Sequence, residues 1–269
     1  MRRTILWVAC VVALGLCTPL AATAAQPDPW PELAEQLFKD RPLADGSDLV
    51  AIEMPGRAED AAIVPVTVRT TLPAGDARRV KAVTIVIDEN PAPVAATFTI
   101  GPNAVVSSIS TRVRVNAYTN VHAVAELSDG KLYVVKTYVK ASGGCSAPAV
   151  KNADQAGFGQ LRFRQFARPA DARVGNTREA QVMIRHPNNS GLQMDQVSRL
   201  YIPAHFIQDV RIWQGDELVL AMEGSIAISE DPNIRFSYVP NNAKPFRVEA
   251  IDTKNHVFEG NWPFDASEM

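Results

Sequence analysis

Of the three cysteines in this 269-residue chain, Cys10 and Cys17 sit in an apolar N-terminal run, which leaves Cys145 as the one thiol free to do chemistry. Its surroundings, Lys140-Ala141-Ser142-Gly143-Gly144-Cys145-Ser146-Ala147-Pro148, are small and flexible, and nothing in them is expected to pack around the sulfur. A lone thiol on such a stalk reads as a reagent: a nucleophile, or the partner in an intermolecular disulfide. Between Gly130 and Ala153 the only charges are Lys131, Lys136, Lys140 and Lys151. A positive field of this kind favours thiolate over thiol and attracts small anions. No second cysteine completes a metal-binding pair, and His122, His186, His205 and His256 are scattered, so no metal site and no cofactor are expected. His186-Pro187 and His205-Phe206 fall near predicted strand ends and are the candidates for a general base to Cys145. A base must stay within hydrogen-bond reach, which a mobile stalk does not provide.

The N-terminus reads as a cleavable export signal over residues 1–25. Arg2 and Arg3 precede an apolar run from Ile5 to Leu20, and Ala22-Thr23-Ala24-Ala25 offers small residues for cleavage. The run is shorter than the ~20 residues of a spanning helix, so no membrane attachment is expected after cleavage. The Arg-Arg pair also suits twin-arginine export. The destination is the periplasm, an oxidising space where an unpaired cysteine is unusual. The remaining chain is large enough to build its core without disulfides. A net charge of −2 gives no basic excess, and nucleic acid is not an expected partner.

The elements that must position Cys145 are almost all strands. One short helix is predicted from Pro31 to Lys39, with Trp30, Leu33, Ala34 and Leu37 on one stripe. Seven segments rich in Val, Ile and Thr follow between Asp48 and Val139, separated by Gly, Pro, Asn or Asp. Thr111-Arg112-Val113-Arg114-Val115 alternates as a half-buried antiparallel strand does, and Ser128-Asp129-Gly130 reads as a hairpin turn. Residues 140–159 lose this pattern and read as a flexible linker. Strand-like segments resume from Leu161 to Trp262, among them Leu161 to Phe166 and Phe246 to Asp252. Trp213, Phe206, Phe236, Tyr238 and Phe246 alternate with polar residues and are expected in core or inter-domain packing. Arg162, Arg164 and Arg168 read as a solvated basic face, with docking of an acidic partner as the alternative. The fold class is therefore all-β: two immunoglobulin-like antiparallel sandwiches, over 26–139 and 160–269, joined by the linker.

The residues also carry a family resemblance. Ala96-Thr97-Phe98, Ser110-Thr111-Arg112-Val113-Arg114, Asn120 to Gly130 and Gly143-Gly144-Cys145 resemble the SoxY half of the sulfur-oxidation carrier SoxYZ. Ile184-Arg185-His186-Pro187-Asn188, Gly224 to Asn233 and Phe246-Arg247-Val248-Glu249-Ala250 resemble SoxZ. The resemblance runs over about residues 30–263, in the order Y then Z, and is to fused SoxYZ-like proteins of the type associated with quinoprotein dehydrogenases. It implies a carrier rather than an enzyme, with two immunoglobulin-like halves. Cys145 would bear a sulfur-containing intermediate, and Gly143 and Gly144 would give the arm its flexibility.

The implied partners are periplasmic sulfur-oxidation enzymes or components of a quinoprotein dehydrogenase system, with a disulfide-linked dimer through Cys145 as a further association. In the resembled family the arm ends in two more glycines and a free terminus. Here Ser146-Ala147-Pro148 follows and the chain continues, so the sulfur would enter a partner on a loop, into a wider cleft. Two other classes compete: a thiol enzyme, which would turn over alone, and an adaptor module for a periplasmic dehydrogenase, which would survive loss of the thiol.

Overall fold

A computed structural model describes residues 28–39, 41–73, 75–148, 157–166, 176–242 and 244–265. The proposed export signal, Lys151 and Arg168 lie outside them. The helix α1 (Trp30–Phe38) begins beside Pro29 and Pro31, whose fixed φ suits a first turn, and ends on Lys39 in the left-handed conformation. Its Trp30, Leu33, Ala34 and Leu37 are the half-buried stripe. Trp30 stacks flat on His122, with ring centroids 3.5 Å apart. No helix among the described residues is long and apolar enough to cross a membrane.

Among the described residues fifteen strands follow: β1 (Leu43–Asp45), β2 (Val50–Glu53), β3 (Val64–Thr70), β4 (Val80–Ile87), β5 (Val94–Ile100), β6 (Ser108–Val113), β7 (Thr119–Leu127), β8 (Leu132–Val139), β9 (Leu161–Phe166), β10 (Arg178–Ile184), β11 (Ile207–Gln214), β12 (Glu217–Gly224), β13 (Asn233–Tyr238), β14 (Phe246–Asp252) and β15 (Val257–Trp262). Strands β3, β10 and β14 bury alternate residues, the period-two pattern of a sheet with one face on the core. The turn at Ser128-Asp129-Gly130 forms as expected, with Gly130 at φ +81 and Asp129 Oδ1 accepting from the Lys131 amide.

The strands form two sheets, and both sheets cross from one half of the chain to the other. One runs β1-β8-β7-β4-β5-β12-β11-β14-β15, the other β2-β3-β6-β13-β10-β9. The crossings are antiparallel pairs, β5 with β12 from Ile100↔Leu220 to Ala96↔Gly224, and β6 with β13 at Ile109↔Phe236 and Ser110↔Arg235. Two sandwiches strung on a linker would leave open the edges at β5, β12, β6 and β13. Here those edges satisfy one another's backbone N–H and C=O groups, which removes a liability of isolated sheets.

Serines complete the join. Ser237 Oγ accepts from the amides of Ser107 and Ser108, and Ser229 Oγ donates to the Ala62 carbonyl at 2.7 Å. The core runs through the join as one layer. Phe98, Ile109 and Val113 from the first half lie in the same buried cluster as Met222, Phe236 and Ile228 from the second. Fully burying a side chain such as Phe98 contributes about 1.5–3 kcal/mol.

Candidate functional site

Cys145 is fully buried. This corrects the expectation of a bare sulfur on a free stalk. Of the linker, residues 140–148 lie against the first half, and residues 157–159 lie against the second, where the Gly159 amide donates to the Arg185 carbonyl. Lys140 bridges Arg57, its amide donating to Gly56 O and its carbonyl accepting from Ala58 N, each at 3.0 Å. The amides of Gly143 and Gly144 then donate to the carbonyls of Asn116 and Val115 at 2.8 and 3.0 Å. Ser146 closes a turn onto the Gly143 carbonyl.

The two glycines are needed for this docking. Gly143 has φ +76, the left-handed region that glycine enters without strain. A Cβ on Gly144 would fall 2.0 Å from the Ala61 carbonyl oxygen and 2.6 Å from that of Val115. At Gly144 the missing side chain lets the backbone press into a seam that admits no Cβ, whereas Gly143 is required for its backbone conformation alone.

The second half closes the seam. Ser190 Oγ donates to the Cys145 carbonyl. Arg114, itself 1% exposed, donates through Nη1 to the Gly144 carbonyl at 3.2 Å and through Nη2 to the Asn188 carbonyl at 3.3 Å. Among the described residues, Arg114 is thus the cation that acts on Cys145. Burial lowers the pKa of Arg114, opposed by the charges of Glu230, Cys145 and Asp60. Burial pushes the Cys145 thiol up from its ordinary value, and the Arg114 charge only partly offsets this. The docked sulfur is therefore a protonated thiol at neutral pH, and the expected bias towards thiolate does not hold in this conformation.

The histidines do not serve Cys145 as a base. His122 lies under Trp30 and hydrogen-bonds Asp88 Oδ1 at 2.9 Å. His186, His205 and His256, far apart in sequence, converge instead on Asp252. This second site corrects the expectation of scattered histidines. It was legible only in part, because His186 follows β10, His205 precedes β11, and Asp252 and His256 bracket the β14–β15 turn. Strand pairing alone brings these ends together.

The predicted aromatic core holds for Phe236, Tyr238 and Phe246, all buried, with Tyr238 edge-on to Phe246 at 5.1 Å. Trp213 is half-buried and carries the Arg247 guanidinium 3.8 Å above its ring. Arg162 and Arg164 face solvent from β9, as expected of a solvated face.

Comparison with known proteins agrees with this two-part construction. Residues 34–145 match the family model "Sulfur oxidation protein SoxY", and residues 166–263 match "Sulphur oxidation protein SoxZ". The first match ends on Cys145 itself. No curated protein sequence matches the chain. Among solved structures, the sulfur carrier protein SoxY from Chlorobium limicola f thiosulfatophilum is 28% identical, covering 42% of this chain and 94% of its own, at a TM-score of 0.33. A superoxide reductase (neelaredoxin) from Ignicoccus hospitalis is 13% identical over 34% of this chain and 79% of its own, at 0.30. SoxY and SoxZ are carrier and accessory proteins of sulfur oxidation, not catalysts. With both family segments present in the order Y then Z and paired through both sheets, this chain belongs to the SoxYZ family as a single-polypeptide, fused SoxYZ-like protein.

Proposed function

We propose that this protein is a periplasmic carrier that holds a sulfur-containing intermediate covalently on Cys145 and presents it to partner enzymes. The observation that carries the reading is the position of Cys145. It is the last residue of the SoxY-family segment, and it is held in a seam by hydrogen bonds from both halves. A thiol buried in this way is protected from oxidation and from unselective exchange. Lifting residues 142–148 breaks a few hydrogen bonds and exposes the sulfur on a loop anchored at both ends. The docked form stores the sulfur and the lifted form exchanges it.

Loading is a thiol–disulfide type of exchange. The lifted thiol gives its proton to water, and the thiolate attacks one sulfur of a donor's S–S bond. A bond forms between Cys145 Sγ and that sulfur as the donor's S–S bond breaks, and the electron pair leaves with the departing sulfur anion. No external oxidant is required, and the reverse step unloads the carrier. The partners follow as periplasmic sulfur-oxidation enzymes, or the enzymes of a quinoprotein dehydrogenase system, whose clefts admit a loop. A disulfide between two copies through Cys145 forms by the same exchange, when the thiolate of one chain attacks the loaded Cys145 Sγ of another and the cargo leaves as its sulfur anion.

The test is intact-protein mass spectrometry after incubation of the leader-free protein with tetrathionate. Exchange adds one S–SO3 group to Cys145 and releases thiosulfate. One such addition is expected per chain, reversed by a small thiol and missing from Cys145→Ser. A thiol that stays free throughout contradicts the carrier reading.

A further inference from the structure

The loading step at Cys145 makes no use of the cluster around Asp252, whose geometry is unusual for a hydrogen-bond network. His186 is 1% exposed, His205 6% and Asp252 fully buried. The ligand atoms of these three residues lie within 4.8 Å of one another. Asp252 Oδ2 is 2.6 Å from His205 Nε2, 2.7 Å from His256 Nδ1 and 3.4 Å from His186 Nε2. The other oxygen, Oδ1, accepts from the amides of Lys254 and His256 at 2.8 and 3.0 Å, which fixes the carboxylate.

The protonation of His186 follows from its neighbour. Asn188 Oδ1 accepts from the Ile207 amide at 3.1 Å while Asn188 Nδ2 points to the Ile228 carbonyl at 3.4 Å, so the amide orientation is set. That oxygen is 2.7 Å from His186 Nδ1. Two acceptors do not approach so closely, so Nδ1 carries the proton and donates to Asn188. This contact outranks the 3.1 Å approach of the Asn188 amide to the same nitrogen. His186 Nε2 is then a bare lone pair, buried and without a hydrogen-bond partner, facing a carboxylate oxygen.

An acceptor buried against an anion needs a cation between them. Metal-ligating histidines are typically held this way, with the distal N–H donated to a fixed acceptor and the free nitrogen aimed at the ion. A tetrahedral first-row ion with bonds of about 2.0–2.2 Å sets its ligand atoms about 3.4 Å apart; the His186–Asp252 pair already has this spacing, and the 2.6 Å His205–Asp252 hydrogen bond opens to admit the ion. Phe158 and Phe258 cover the cluster, with Phe158 5.3 Å from the His186 ring and 5.9 Å from that of His205. His256, half exposed, stands at the rim.

We propose that His186 Nε2, His205 Nε2 and Asp252 Oδ2 form a binding site for a divalent first-row transition-metal ion, of which Zn2+ suits the mixed imidazole and carboxylate set. On binding, His205 exchanges protons with solvent so that its N–H passes from Nε2 to Nδ1, freeing the Nε2 lone pair for the ion with no net change in the charge of the ring, and three protein ligands leave a fourth position facing His256. The site is independent of Cys145.

Calorimetric titration of the metal-free, untagged, leader-free protein with Zn2+ tests this. The expected result is one equivalent bound by the wild type and equally by Cys145→Ser, with affinity reduced at least ~10-fold in His186→Gln and in Asp252→Asn. Because these buried substitutions risk unfolding the chain, the Co2+ spectrum of the wild type serves as a second readout: four-coordinate d–d bands without a thiolate charge-transfer band. Absence of stoichiometric binding, binding untouched by folded His186→Gln and Asp252→Asn variants, binding lost in Cys145→Ser, or a Co2+ spectrum that is thiolate-type or six-coordinate would overturn the proposal.

Discussion

At the scale of single residues, the chemistry of Cys145 depends on what surrounds the sulfur rather than on its being unpaired. The sequence marks it plainly, as one cysteine outside the apolar leader, preceded by two glycines. Its environment was not legible, because Ala61, Val115 and Ser190 reach it from distant segments. Burial raises its pKa above the ordinary 9.0, an effect Arg114 only partly opposes. A thiol whose folded pKa exceeds its unfolded value contributes stability below about pH 9, and that contribution is lost as the pH rises through the folded value. Alkylation by iodoacetamide should therefore be at least ~10-fold slower at pH 8 in the folded protein than in urea, with its inflection above pH 9 only in the folded state. Equal rates and equal inflections would show that the sulfur is not docked.

At the scale of elements, regular strands were readable and the segments that lock the site were not. Leu161–Phe166 and Phe246–Asp252 appear with the same limits in sequence and structure, since each alternates and is bounded by turn residues. The three-residue β1 was missed. Leu43-Ala44-Asp45 has no alternation to detect and is a strand only because it pairs in parallel with β8. The Gly143-Gly144 pair shows the same limit, as its composition reads as flexible while its contacts make it a docked turn. Gly144→Ala tests the docking directly. The clash with the Ala61 and Val115 carbonyls should release the segment, raise the alkylation rate of Cys145 at pH 8 by about tenfold or more, and leave the sheets intact by circular dichroism. An unchanged rate would mean that Gly144 does not hold the thiol down.

At the scale of the whole molecule, two family segments that read as separate sandwiches form one two-layered body, because each supplies edges for the other. Strand patterns reveal burial on each face but not which strand lies alongside, so the crossings at β5–β12 and β6–β13 were hidden from the sequence. If this pairing holds the halves together, a protease site inserted at residues 149–156 and then cleaved should leave two fragments that still co-elute in gel filtration. Fragments that separate without denaturant would contradict it.

Under the proposed carrier function, a cysteine internal to the chain serves as a handle by docking in the seam between the halves and leaving it on a loop. The most direct measurement is mass analysis of the Cys145 peptide from protein isolated from its own cells under acid quench. The carrier account predicts sulfur-containing additions on Cys145 that thiol reduction removes, whereas a uniformly unmodified Cys145 in cells actively oxidising sulfur compounds would contradict it.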